Sequence, residues 1–295
     1  MPPEIVNLDM APDWSLTRQA ILGDMGEPLL RFMREVFFGR VASSIDQKIV
    51  STALALGWIT KGNNDYWKLT SHGAKVADSA REYCNWLDDK RGLPAKITEK
   101  EISGKAVLDI GCGFGRHVFS ASRCALLAVG LEAEQAYLQM SSILRFREGI
   151  TSAFFVCGNG EKVPFADGVF DIIVCTRSLQ YMDASIVVPE IARVLRVGGK
   201  LYLTVPTFQQ FILDMICRPQ QPLKIRDKLG LAKKMINSII LSCTGKQLFR
   251  RKTKSTTGTY ALLTTRRLIR IMECAGLKLA SRSAPEGLFV VERIR

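Results

Sequence analysis

Asp109, Gly111, Gly113 and Gly115 stand at alternate positions in VLDIGCGFGRHVF, residues 107–119, where an apolar run ends in an acid and runs on into a helical pattern. Glycine bares the backbone so that a ligand can approach it closely, and the free N–H groups of a helix start favour negative charge. Further along, VGLEAE places Glu132 at the end of a second apolar run, where a carboxylate can accept hydrogen bonds from both hydroxyls of a ribose. In CGNGEKVPF, Asn159 can both accept from and donate to an adenine edge, with the Gly160 N–H beside it. Taken in order, these groups fit one nucleoside ligand. The dinucleotide fingerprint G-x-G-x-x-G is absent, because its third glycine falls at Arg116, which argues against a nicotinamide-dependent oxidoreductase.

Such residues need a scaffold that brings them to one edge. Ala106–Ile110, Leu126–Leu131, Ala153–Cys157, Phe170–Cys175 and Leu201–Val205 read as short apolar strands. Helical patterns fill the first two gaps and recur at Ile186–Val197, where Gly198 and Gly199 are expected to close the helix. This alternation predicts βαβ units and a mostly parallel sheet covered on both faces, with ligands at the carboxyl ends of the strands. Two more strands, Leu277–Ala280 and Leu288–Glu292, end the chain. The first hundred residues read differently: a helical stretch over Ser15–Phe38 broken near Gly23 and Gly26, and a helix over Ser44–Leu56. Two strand-like pieces, Gly57–Thr60 and Tyr66–Leu69, then flank a turn, and Thr70 or Ser71 is placed to cap a following helix. That order resembles a winged helix, and DDKRGLPAKITEKEISGK reads as a linker.

Charge divides the chain further. Residues 1–100 carry 13 Lys+Arg and 13 Asp+Glu, and residues 101–207 carry 10 of each. Residues 208–282 carry 16 basic against 3 acidic side chains, which equals the whole net charge of +13. A neutral N-terminal segment supplies little phosphate-neutralising potential, so it is expected to cover substrate or to form a homodimer rather than to read DNA. The start of the chain lacks a basic segment followed by an apolar block, and no apolar run nears the roughly 18 to 20 residues that span a bilayer; the expected location is the cytoplasm. Eight cysteines without a C-x-x-C pair are expected to be buried, reduced thiols, Cys157 and Cys175 among them, with no metal site.

With LDIGCGFG, the acid after the second strand, GNGEKVPF, FDIIVC and LRVGGKLYL in sequence order, the chain resembles class I S-adenosylmethionine-dependent methyltransferases, well over 101–207 and loosely over 261–295. Asn159 and Gly160 depart from the Asp and Ala more usual there. The resemblance implies a doubly wound, mostly parallel seven-stranded sheet over residues 101–295, beside an N-terminal helical, winged-helix-like domain over 1–100, with a helical basic lid inserted at about 208–260. It implies S-adenosylmethionine as cofactor. Asp109 and the Gly111, Cys112, Gly113 and Gly115 loop would hold its methionine part, Glu132 its ribose, Asn159 and Gly160 its adenine, and Thr176 would lie beside the sulfonium. Asp171 is expected to brace backbone and His72 to lie on the surface. His117, Arg177 and Tyr181 are the candidates for acting on the acceptor, with Gln180 nearby. No N-P-P-Y or P-C signature of nucleic-acid methyltransferases is present, so a small-molecule acceptor is expected. The greasy, basic segment points to an acidic or lipid-like acceptor, or to a carrier protein or anionic membrane surface that presents one. The competing readings are a winged-helix regulator that senses S-adenosylmethionine and a nucleic-acid methyltransferase.

Overall fold

The computed structural model describes residues 5–6, 14–40, 45–62, 67–88, 92–94, 97–205, 235–240, 244, 263–283 and 287–295. In chain order the elements are β1 (Ile5–Val6), α1 (Trp14–Leu22), α2 (Gly26–Phe37), α3 (Gln47–Ala55), β2 (Ile59–Lys61), β3 (Trp67–Thr70), α4 (Ser71–Asp88) and α5 (Glu99–Ile102). They continue with β4 (Ala106–Ile110), α6 (Arg116–Ala121), β5 (Leu127–Glu132), α7 (Gln135–Arg147), β6 (Ala153–Cys157), β7 (Phe170–Thr176) and a 3-10 turn at Leu179–Tyr181. After that come α8 (Ala184–Val194), β8 (Leu195–Thr204), α9 (Thr265–Cys274), β9 (Leu277–Ser283) and β10 (Leu288–Arg293). Two compact units result: Met1–Leu93 with Gly113–Arg123 and Glu134–Phe155, and Pro94–Cys112 with Cys124–Ala133 and Val156–Arg295.

In the first unit the N-terminal elements share one body with α6 and α7. The break between α1 and α2 falls at the glycines, as the sequence predicts, and Asp46 caps α3 by accepting from the Lys48 N–H at 2.8 Å. β2 and β3 pair antiparallel as the expected hairpin, and β1 adds a parallel strand to β3. Of the two cap candidates it is Thr70 that serves, its hydroxyl accepting from the Gly73 N–H at 2.8 Å and donating to the Gly57 carbonyl at 2.6 Å. Gly73 is required there, since a Cβ would lie 1.7 Å from the Trp58 carbonyl oxygen. His72 is not the surface residue expected. It is half-buried, its Nε2 lies 2.9 Å from the hydroxyl of the buried Thr17, and its ring meets Trp14 edge-on at 4.6 Å. Long polar side chains bind α4 to the two later helices: Tyr83 donates to Glu148 at 2.5 Å, Trp86 to the Ser120 hydroxyl at 3.0 Å, and Tyr137 of α7 to Asp78 at 2.7 Å.

The second unit carries the sheet, with strand order β6-β5-β4-β7-β8-β10-β9. β4 runs parallel to β5 and β7, β7 parallel to β8, and β10 antiparallel to both β8 and β9. This is the doubly wound, mostly parallel seven-stranded sheet that the resemblance implies, with β10 as a reversed strand. All five residues of β4 are buried, as a strand covered on both faces must be. Leu108, Ile110, Val129, Leu131, Ile173, Leu201, Leu203 and Phe289 form the core with Val187, Val188 and Ile191 of α8. Asp171 braces backbone as expected, accepting from the Ala106 N–H at 2.9 Å and from Arg196 at 2.5 Å.

Two further expectations are corrected. The helix before β8 ends at Val194, and Gly198, at φ +78, sits inside β8. There the pairing with β7 slips from Phe170↔Leu195 to Ile172↔Lys200, so these glycines allow a strand irregularity instead of closing a helix. Cys157 is exposed, because it ends β6 at the sheet rim; Cys274 is exposed as well and Cys124 half-buried, whereas Cys84, Cys112 and Cys175 are buried. Most of the expected lid over 208–260 lies outside the described residues, including Arg250, Arg251, Lys252 and Lys254; within it, 235–240 is helical, with Ile236 and Ile239 exposed. No helix among the described residues is long and apolar enough to cross a membrane.

Candidate cofactor and active site

β4 ends beside β5 in parallel register, with Asp109 opposite Gly130 and Ile110 opposite Leu131. The chain turns at once, because the N–H groups of Gly111 and Cys112 both donate to the Leu131 carbonyl, at 2.8 and 3.2 Å. Gly111 holds φ +70, and a Cβ there would lie 2.5 Å from the Ser178 side chain, so both the dihedral and the space demand glycine. Asp109 is 3% exposed and Glu132 8%. Burial, with the Glu132 charge as a second cause, pushes the Asp109 carboxyl up to about 8, and its Oδ2 has no hydrogen-bond partner. Burial, followed by the same two carboxylates, raises the Cys112 thiol well above its usual range, so this sulfur is a packed thiol and not a thiolate.

The loop after β6 is fastened to the same edge. The Gly158 N–H donates to the Glu132 carbonyl at 3.0 Å. The Asn159 Oδ1 accepts from the Glu161 N–H at 3.0 Å, closing an Asx turn, so this oxygen is committed to the loop and the amide nitrogen is the atom left to meet a ligand. Gly160 is buried, and a Cβ would stand 2.6 Å from the Met182 sulfur and 3.1 Å from Ile110. Arg193 of α8 closes the loop from below, donating to the Val163 and Phe165 carbonyls at 2.9 and 2.8 Å and pairing with Glu190 at 2.8 Å.

At the end of β7, the hydroxyl oxygen of Thr176 is buried without a partner, as is the Oε1 of Gln180. Arg177 follows with φ +55, the one described non-glycine residue in the left-handed region, and its N–H donates to the Thr204 carbonyl at 2.7 Å. Ser178 lies 3.0 Å from the Gly111 carbonyl, which it reaches as a donor, and so ties the β7 end to the glycine turn. Tyr181 is 41% exposed.

The second unit therefore gathers Asp109, Gly111, Cys112, Glu132, Asn159, Gly160, Thr176, Arg177, Gln180 and Tyr181 at the carboxyl ends of its strands. Gly113, Gly115 and His117 belong to the first unit. Gly113 holds φ +55 over open space, and a Cβ on Gly115, at φ +98, would lie 2.4 Å from the Phe155 ring. His117 hydrogen-bonds through Nδ1 to the Gly92 carbonyl, and burial pushes its pKa down to about 4, so the ring is neutral and its Nδ1 proton is engaged. Sequence reasoning missed Ser178, Met182 and Arg193. Each acts by holding a loop of the site, and no spacing rule marks a residue whose partner is a distant carbonyl or glycine.

The groups at this edge allow a test of the cofactor. A buried carboxyl oxygen beside a bared glycine turn suits an ammonium group, a buried carboxylate on the neighbouring strand suits a diol, and the exposed amide beside Gly160 suits a purine edge. That is the donor and acceptor set of an amino-acid nucleoside, and S-adenosylmethionine fits it. Comparison with known families agrees: residues 108–203 match the methyltransferase domain family. This segment is a class I S-adenosylmethionine-dependent methyltransferase domain, and S-adenosylmethionine is its cofactor. The chain is 32% identical over 113 residues to YcgJ, an uncharacterized methyltransferase of Bacillus subtilis, a stretch covering 38% of this chain and 44% of that one. It is 33% identical over 110 residues to a phthiotriol/phenolphthiotriol dimycocerosates methyltransferase of Mycobacterium ulcerans, covering 36% and 40%. The chain thus spans less than half the length of either relative. Among solved structures, the fold is shared with a chain of the complex between the Haloferax volcanii Trm112 methyltransferase activator and a methyltransferase, at a TM-score of 0.50 and 15% identity, covering 74% of this chain and 97% of that one.

Proposed function

We propose that this protein transfers the methyl group of S-adenosylmethionine to a small-molecule acceptor in the cytoplasm. The observation that carries the reading is the buried, unpartnered Asp109 oxygen beside the Gly111 turn, one strand away from the buried Glu132. When bound, S-adenosylmethionine would supply a methyl carbon on a sulfonium for the acceptor's lone pair to take, with the electron pair of the carbon–sulfur bond left on the sulfur. The chain's own contribution is alignment. Asp109 would ionise against the methionine ammonium, Glu132 would accept from the ribose hydroxyls, and the Asn159 amide nitrogen with the Gly160 N–H would face the adenine. Thr176, at the end of β7, would flank the reacting sulfur.

His117, with its Nδ1 held by the Gly92 carbonyl and its pKa near 4, suits a role in fixing α6 and not that of a general base for the acceptor. The acceptor we propose is a small molecule with an anionic group and an apolar body, its encounter steered by the segment whose 16 basic side chains lie among isoleucines and methionines. The relative that methylates phthiotriol and phenolphthiotriol dimycocerosates supports a non-nucleic-acid acceptor. The N-terminal elements would cover the acceptor or pair two copies. The experiment is to denature the purified protein and identify the released nucleoside by mass spectrometry, then to assay S-adenosylhomocysteine formation with candidate acids. Release of S-adenosylmethionine or S-adenosylhomocysteine is expected, and a nicotinamide dinucleotide in its place would overturn the reading.

A further inference from the structure

Arg177 holds φ +55, a conformation that asparagine and glycine adopt readily and that other residues rarely do. Two bonds impose it. The Arg177 N–H donates to the Thr204 carbonyl at 2.7 Å on one side, and the next residue, Ser178, reaches the Gly111 carbonyl at 3.0 Å on the other. A position that would accept asparagine at less cost therefore carries an arginine, and that arginine is used differently from its neighbours. Arg193 and Arg196 of the same unit are each engaged by a carboxylate, at 2.8 and 2.5 Å from Glu190 and Asp171. The Arg177 side chain is exposed and, among the described residues, makes no hydrogen bond or ion pair. On either side of it in sequence, Thr176 and Gln180 each hold a buried oxygen without a partner. An exposed guanidinium next in sequence to Thr176 and three residues before Gln180, at the strand ends where open α/β sheets place ligands, is suited to recognise a small polar molecule.

We infer that Arg177 is the residue that recognises the anionic group, carboxylate or phosphate, of the methyl acceptor. The inference rests on the methyltransferase reading and adds to it the residue and the chemical group that select the substrate. Ser178, the next residue, ties this stretch to the glycine turn of the cofactor site. Gln180 Oε1 adds a requirement for a hydrogen-bond donor on the acceptor.

The test uses the full chain saturated with S-adenosylhomocysteine, with octanoate, octyl phosphate and octanol as probes in nuclear magnetic resonance titrations. Arg177→Asn keeps a residue that tolerates the left-handed backbone and removes the charge, and Arg177→Lys keeps the charge without the planar fork. At least one anionic probe is expected to bind the wild-type protein about 10-fold or more tighter than octanol, in line with a charge-assisted hydrogen bond. Arg177→Asn should erase that preference and Arg177→Lys should restore part of it, with S-adenosylhomocysteine affinity unchanged in both. Preference for octanoate assigns a carboxylate acceptor, and preference for octyl phosphate a phosphate. An undiminished anion preference in Arg177→Asn, or none in the wild type that binds S-adenosylhomocysteine, would overturn the inference alone. Failure of the wild type to bind S-adenosylhomocysteine would overturn the methyltransferase reading and the inference with it.

Discussion

Both units hold buried polar atoms without partners, but in different places: His72 Nδ1, Ser79 Oγ, Arg81 Nε and Arg116 Nε lie along helices of the first, and three oxygens lie together at the strand ends of the second. In the first, Thr17, Tyr83, Trp86, Tyr137 and His117 each meet a partner on another segment, and the bonds hold helices together. In the second, a short arc at the strand ends leaves oxygens of Asp109, Thr176 and Gln180 unpartnered. Burying a polar atom without a bond costs about 1–3 kcal/mol, so three in one arc is a standing cost that a bound ligand would offset. The contrast teaches where to look for function: unpaired atoms spread along helices carry no such message, whereas a group of them at the carboxyl ends of a parallel sheet, where ligands sit, reports on what is to be bound. Substitutions that break the bonds between helices should therefore lower stability in the first unit, whereas removing an unpartnered oxygen in the second can raise stability while lowering affinity.

The largest effect is expected at Asp109. A folded-state pKa of about 8 lies above the unfolded value near 3.9, so the fold favours the protonated carboxyl. That stability is complete below about pH 4 and is lost as pH rises toward 8, which at pH 7 amounts to as much as about 4 kcal/mol. Asp109→Asn should escape the loss. Urea midpoints of the variant and the wild type should diverge from pH 5 to 8, with the variant more stable and its S-adenosylmethionine affinity lower. Binding to the wild type at pH 7 should also release protons, seen as a dependence of calorimetric enthalpy on the buffer, as Asp109 ionises against the ammonium.

Gly111→Ala comes next. It adds left-handed strain and a Cβ 2.5 Å from Ser178, together about 2–4 kcal/mol, read as a lowered urea midpoint. Adding Ser178→Gly should recover the steric part and leave the backbone part.

In the first unit, the His117 pKa near 4 lies below the usual 6.5, so its contribution is present above pH 6.5 and is lost as pH falls toward 4. His117→Asn keeps a donor for the Gly92 carbonyl without a titrating ring. The wild type should lose about 2–3 kcal/mol more than the variant between pH 7 and 4.5 in urea unfolding. Parallel losses would remove His117 from the acid response.

Much of this was legible in the sequence, for a physical reason. Strands covered on both faces must be continuous apolar runs, so the sheet region declared itself, and glycines at Gly111, Gly113 and Gly115 marked a backbone conformation that other residues take at a cost. Glu132 and Asn159 were readable because each ends or follows such a run. What stayed hidden depends on partners far apart in the chain. The start of β8 was missed because Gly198 and Gly199 suit a helix end as well as a strand irregularity, and only pairing with β7 decides between them. His72 was misplaced because its partner, Thr17, lies 55 residues away. Likewise nothing in the run TRSL says that Ser178 reaches Gly111 or that Arg177 turns left-handed.

The most direct measurement is calorimetric titration of S-adenosylmethionine into the wild type and Glu132→Ala. One site per chain is expected, with affinity reduced by about 1–3 kcal/mol in the variant, since a buried carboxylate would no longer meet the ribose hydroxyls. Absence of binding to the wild type, or equal affinity in the two proteins, would contradict the site described here.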